Sequence, residues 1–188
     1  MMSVLRLKNN NSSFKSAFVA SIPIFFAYFP LSMLFGVVFV HAGFDGYLAI
    51  LMSVFLYAGA AQFLVLTMLT NNALFASILV ACFFVVFRNS FYGLAFIERY
   101  QNVKPFFRSL LACGMVDATY ALLIARPKAS IRFCAYVTGL IYTYWVLGTV
   151  VGVLFAELIP SMSGAHFVLE AFFMTLVIDF YTIHRTIT

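Results

Sequence analysis

From Ala17 to Ile183 the sequence falls into six apolar runs, each about as long as a helix that crosses a bilayer. They cover residues 17–40, 47–69, 74–97, 106–125, 133–158 and 167–183, with short polar connections between them. Only 11 Lys or Arg and 6 Asp or Glu occur in 188 residues, and 64% of the chain is apolar. Soluble domains are about half apolar and a quarter charged, so this chain has too little polar surface to clothe a globule. A soluble enzyme, a disordered chain, a disulfide scaffold and a collagen-like fibre are excluded. In lipid the backbone must satisfy its own hydrogen bonds, which leaves helices or closed barrels. The alternating segments of about 10 residues that a barrel requires are absent. The expectation is an all-α membrane protein with about six hydrophobic transmembrane segments, some broken or re-entrant. Residues 1–16 form a polar, basic tail, and 17–188 form one transmembrane helical domain.

The net charge of +5 does not point to nucleic acid, because the basic residues flank apolar runs in three small groups. These are Arg6, Lys8 and Lys15; Arg99, Lys104 and Arg108; and Arg126, Lys128 and Arg132. Cytoplasmic loops of membrane proteins have this character. If all six segments cross, however, the second and third groups lie on opposite sides of the membrane. Either the charge rule is broken, or a segment such as the second or fourth is broken or re-entrant. Cys82, Cys113 and Cys134 lie inside apolar runs without metal-ligand spacing and read as free thiols, so neither a metal nor a cofactor is expected.

Ionised residues in mid-span mark the candidate chemistry, since each costs about 2.5–3.5 kcal/mol even on insertion scales. Arg88 and Asp117 are the two clear cases, and their opposite signs suit a mutual ion pair or the two ends of a zwitterion. Helical spacing places Asn89 and Tyr92 beside Arg88, and Tyr120 beside Asp117. The second segment carries Tyr57-Ala58-Gly59-Ala60-Ala61-Gln62 at its centre. Small residues there allow close helix packing, or a local unwinding whose freed backbone groups bind a ligand. Pro23 and Pro30 each remove a backbone donor from the first segment, which predicts a kinked or broken helix. Glu170 and Asp179 in the last segment read as a proton relay or as residues of the membrane interface. The motifs of intramembrane proteolysis and phosphate-cradling loops are missing, so the chain is not expected to be an enzyme or to use ATP directly.

An internal echo relates segments one and five. At an offset of 116 positions, Tyr28 meets Tyr144, Leu31 meets Leu147 and Gly36 meets Gly152, while Ser32 meets Gly148. The alternatives are a structural repeat and the ordinary likeness of apolar helices. Either way, Ser32-x3-Gly36 and Gly148-x3-Gly152 are spacings suited to close helix contact in lipid.

Taken in order, Ile22-Pro23, Tyr28-x-Pro30, Phe35-Gly36 and Met52-Ser53 followed by Ala58-Gly59-Ala60-Ala61-Gln62-Phe63 resemble the AzlC family. The family comprises the large subunits of bacterial branched-chain amino-acid exporters. Arg88 with Tyr92-Gly93, Asp117 with Tyr120-Ala121, and Tyr144-Trp145-x2-Gly148-Thr149-x2-Gly152 extend the likeness. The resemblance implies a multi-pass protein of the bacterial cytoplasmic (inner) membrane. It also implies export of branched-chain amino acids such as valine, and a small hydrophobic AzlD-like partner subunit. Carried over by position, the site residues are Tyr57, Gly59, Gln62, Arg88, Tyr92 and Asp117. The chain departs from the family pattern at Val86, Asn89, Ala118 and Glu170, and family members usually continue for a further helix. A non-transporting membrane subunit or assembly factor is the alternative reading.

Overall fold

The computed structural model describes residues 14–96, 98–101 and 103–158. The sixth apolar run, with Glu170 and Asp179, lies outside the described residues. Within them the fold is entirely helical: α1 (Phe14–His41), α2 (Gly46–Phe55), α3 (Gly59–Thr70), α4 (Phe75–Ala95), α5 (Pro105–Cys113), α6 (Asp117–Ile124) and α7 (Ile131–Phe155). A 3-10 turn, Ala156–Leu158, continues α7. Among the described residues, three helical stretches are long and apolar enough to cross a membrane: α1, α4 and α7 with its terminal turn.

The spine of the molecule is the pair α1 and α7, which lie side by side and parallel. Ascending order is kept along both: the Phe14 ring meets Tyr136, the Ser21 hydroxyl lies 3.0 Å from that of Tyr144, and the His41 ring nitrogen lies 3.0 Å from the Ala156 carbonyl. The small residues of both helices allow this approach. A Cβ on Gly36 would press on the Thr149 carbonyl, one on Gly148 would strike Ser32, and one on Gly152 would strike the Met33 backbone. The two small-residue motifs therefore face each other. In lipid, where apolar surface is not driven together by water, such backbone proximity is the main source of helix attraction. Pro23 and Pro30 do not interrupt α1. The helix is continuous through both, each on an exposed face, and the breaks in the chain fall elsewhere.

They fall in segments two and four. Segment two descends as α2 from the far end of the spine, where Gly46 abuts Val40 and Val153. Ser53 reaches Thr149, and the Tyr142 hydroxyl donates to the Val54 carbonyl, so the break at 56–58 lies near mid-spine. From there α3 rises again: Gly59 packs under Trp145, and Phe63 packs on Phe35, nearer the far end. Segment four does the reverse. The axes of α5 and α6 are bent by 109° across the break at 114–116. Arg99, just past α4, donates to the carbonyls of Leu123, Arg126 and Ala129 at 3.5, 3.0 and 2.6 Å. The chain thus enters and leaves segment four at the near end, where α7 begins.

Each half has its own core. Phe35, Phe39, Ala49, Phe63 and Leu66 fill the far half. Ala17, Phe96, Tyr100, Leu111, Met115, Leu123 and Phe133 fill the near half. Basic charge gathers at one end: Lys15, Arg99, Lys104, Arg108, Arg126, Lys128 and Arg132 flank the near end, with Glu98 as the single acid there among the described residues, and Asp45 and Glu157 flank the far end.

Candidate functional site

The two broken segments, entering from opposite ends, meet at mid-spine around a small cavity. Its lining takes Tyr57, Ala58, Gly59 and Ala60 from the first break, and Val116 and Asp117 from the second. Val85, Arg88 and Asn89 come from α4, Tyr28 and Leu31 from α1, and Trp145 from α7. Its volume of about 40 Å³ holds water but not an amino acid, because one water needs about 10–15 Å³ by this measure.

The first break has a clear local cause. Tyr57 adopts φ +37°, and Ala58 is extended. A side chain in the left-handed region costs roughly 1 kcal/mol or more. The Tyr57 ring is held in that place by the Tyr142 ring, 4.8 Å away. The helix restarts with the Gln62 amide donating to the Ala58 carbonyl at 2.9 Å. The amides of Gly59, Ala60 and Ala61 thus precede the first intrahelical bond, and they give the cavity the positive end of a helix dipole. Gly59 is required there, since a Cβ would lie 2.5 Å from the Trp145 ring. At the second break, Asp117 is the first residue of α6. Its Oδ1 accepts from the Tyr28 hydroxyl at 2.5 Å and from the Ala118 amide at 3.1 Å.

Gln62 is fully buried and turned away from this cavity. Its amide nitrogen donates to Ser53 at 3.1 Å, and its carbonyl accepts from the Trp145 indole at 2.9 Å. Ser53 in turn lies 2.8 Å from Thr149. This network ties α2, α3 and α7 together at the level of the break. Each such bond in a membrane interior is worth about 0.6–2 kcal/mol.

Of the sequence candidates, Tyr57, Gly59, Arg88, Asn89 and Asp117 share the cavity. Tyr92 and Tyr120 stack on each other with centroids 4.7 Å apart, against Phe96 and outside its lining. No ion pair joins Arg88 and Asp117 among the described residues. Tyr28 and Trp145 are functional candidates that sequence reasoning passed over. The signal was present in both, because a mid-span Tyr and the chain's single Trp each need a buried polar partner. Two hydroxyls beside the break, Tyr57 and Thr119, are buried as neighbours and have no other hydrogen-bond partner among the described residues.

Residues 23–159 match the AzlC protein family. A membrane protein of Helicobacter pylori strain J99 is 33% identical over 177 residues, which cover 90% of this chain and 76% of that one. The branched-chain amino acid transport protein AzlC of Bacillus subtilis strain 168 is 29% identical over 178 residues, covering 89% and 68%. The inner membrane protein YgaZ of Escherichia coli K12 is 28% identical over 175 residues, covering 84% and 69%. No solved structure matches the chain. With the family matched over most of its length, and with α1, α4 and α7 fit to span a bilayer, the chain is a membrane protein belonging to the AzlC family.

Proposed function

We propose that the chain is the substrate-carrying subunit of a secondary exporter of branched-chain amino acids, working by alternating access. One observation carries this reading: two broken helices bring the start of α3, the start of α6, Arg88 and Asp117 to one mid-spine cavity. A zwitterion needs a positive and a negative partner a few ångströms apart, away from bulk water. The amides at Gly59 and Ala60, with Arg88, suit the carboxylate; Asp117, oriented by Tyr28, suits the ammonium group. Leu31, Val85, Val116 and Trp145 offer apolar walls to an aliphatic side chain once the cavity, which at about 40 Å³ is closed to an amino acid in this state, widens during the alternating-access cycle. Broken helices with their termini turned to a ligand are a general solution in transporters, and the similarity to the Bacillus transport protein supports the substrate class. Asp117 is also the proposed carrier of a coupling proton. A small hydrophobic partner subunit is proposed to cover α4, on which only Ile78 and Gly93 are buried within the described residues.

The same geometry supports a topology. With segments two and four re-entrant from opposite faces, α4 is the single crossing between α1 and α7. All three basic groups then share the side of the N-terminus, as cytoplasmic loops should, and the conflict raised by six straight crossings disappears. Single cysteines at Asp45 and Asn72 are expected to react with an impermeant thiol reagent from the same, periplasmic side. Cysteines at Lys104 and Lys128 are expected to react from the other. Opposite sidedness of Asp45 and Asn72 would mean that segment two crosses.

The transport reading is tested by loading cells with valine-containing dipeptides and following free valine outside. Cells producing this chain with its small partner are expected to release valine, leucine and isoleucine faster than cells lacking it. Equal release, with the protein demonstrably in the membrane, overturns the proposal.

A further inference from the structure

A second, larger cavity of about 670 Å³ lies beneath the first, between the end of α2, the lower half of α4 and α5. Tyr57 and Asn89 line both spaces and stand between them. Its volume falls in the range of ligand pockets, about 300–1,000 Å³, whereas the central cavity admits only water. Arg108 is the one charged side chain among its described lining residues, joined by the polar groups of Asn89, Ser90 and Ser109. A 670 Å³ space with one guanidinium, three neutral polar side chains and no acidic group among its described lining residues suits a carboxylate that carries an apolar tail. Phe55, Leu56 and Leu94 supply the apolar wall for that tail.

We propose that this cavity is a second amino-acid site, a vestibule on the basic face. There Arg108 holds the substrate carboxylate before the molecule passes Tyr57 into the central chamber. The inference rests on the transport reading above but adds a site and an order of events. Tyr57 is suited to the partition because it lines both spaces and sits at the helix break, where its left-handed backbone lies outside any helix.

Cys113 supplies the test, since its exposed thiol lines the vestibule while Cys82 is half-buried and Cys134 buried. The full chain in inside-out membrane vesicles is treated with an impermeant charged maleimide, and labelling of Cys113 is followed by peptide mass spectrometry. Millimolar valine is expected to slow labelling. The protection should weaken roughly tenfold in Arg108→Gln, as for loss of one charge-assisted hydrogen bond. It should persist in Asp117→Asn, which impairs only the central chamber. Protection that survives in Arg108→Gln, or that disappears in Asp117→Asn, overturns the vestibule. Absence of protection by any amino acid in vesicles that transport valine overturns the vestibule and leaves the transport reading standing. Protection by a different class of amino acid, sensitive to Arg108→Gln, keeps the vestibule and overturns the branched-chain assignment.

Discussion

Gly152→Ala is expected to destabilise the protein by about 3 kcal/mol, at the upper end of the range for overpacked cores, although it adds a single methyl group. The new Cβ would fall on the carbonyl oxygen, carbonyl carbon and Cα of Met33, all backbone atoms that no rotamer change can move aside. Helices α1 and α7 would have to separate, and a gap of 0.5–1 Å already forfeits about a quarter to a half of each dispersion contact. Because the two helices are in close contact over much of their length, the loss spreads far beyond residue 152. Gly139, on the same helix, is the control: a Cβ there meets nothing within 4 Å. Heating detergent-solubilised protein and measuring the monodisperse fraction should show Gly152→Ala collapsing well before the parent, with Gly139→Ala at or above it. Equal behaviour of the two variants would mean that the α1–α7 contact is not the stabilising spine.

The largest expected effect on transport comes from Asp117→Asn. The replacement keeps the shape of the side chain, and its amide oxygen can still accept from Tyr28 and from the Ala118 amide, so the second break should persist. What disappears is the negative charge. If the ammonium group of the substrate is paired there, away from water, losing a charged partner costs about 1.5–3 kcal/mol. That corresponds to roughly a tenfold to hundredfold drop in efflux rate. Loss of proton coupling would remove accumulation against a gradient as well. Valine efflux normalised to the amount of membrane-inserted protein is the measurement. Parent-level efflux in Asp117→Asn would remove Asp117 from both roles.

How far the sequence reaches is best seen in segments two and four. Their apolar length reads as two crossings, because hydropathy counts residues and is blind to direction. The conflict between the basic loops already points to the second or fourth segment as broken or re-entrant, while the clues to where the breaks fall are local and weak: four small residues in a row at Ala58–Ala61, and Gly114 just ahead of Asp117. Prolines, the stronger conventional signal, pointed to segment one, yet α1 runs through Pro23 and Pro30 without interruption. A missing amide bond is tolerable where a neighbouring helix holds the chain in line, and α7 does so along α1. Gln62 makes a similar point. A polar residue at membrane depth reads equally well as ligand contact or as structural glue, and only the positions of Ser53 and Trp145 show where its amide is engaged.

What the sequence determined by itself was the solvent, the helical backbone and the residues worth watching. Seventeen ionisable charges in so apolar a chain leave no other environment, and mid-span Arg88 and Asp117 are costly enough to stand out. The small-residue spacings in segments one and five also foretold a close helix contact, since backbones can approach only where side chains are absent. The tertiary structure decided what linear spacing cannot encode. Arg88 and Asp117, 29 positions apart in sequence, come to one cavity because segments two and four turn back at mid-spine. Arg99 can reach carbonyls 24 to 30 residues away only because the chain returns to the same end. Direction of travel is a property of packing between segments, so the charge pattern could only offer re-entrance as one of two alternatives, and the placed segments chose between them.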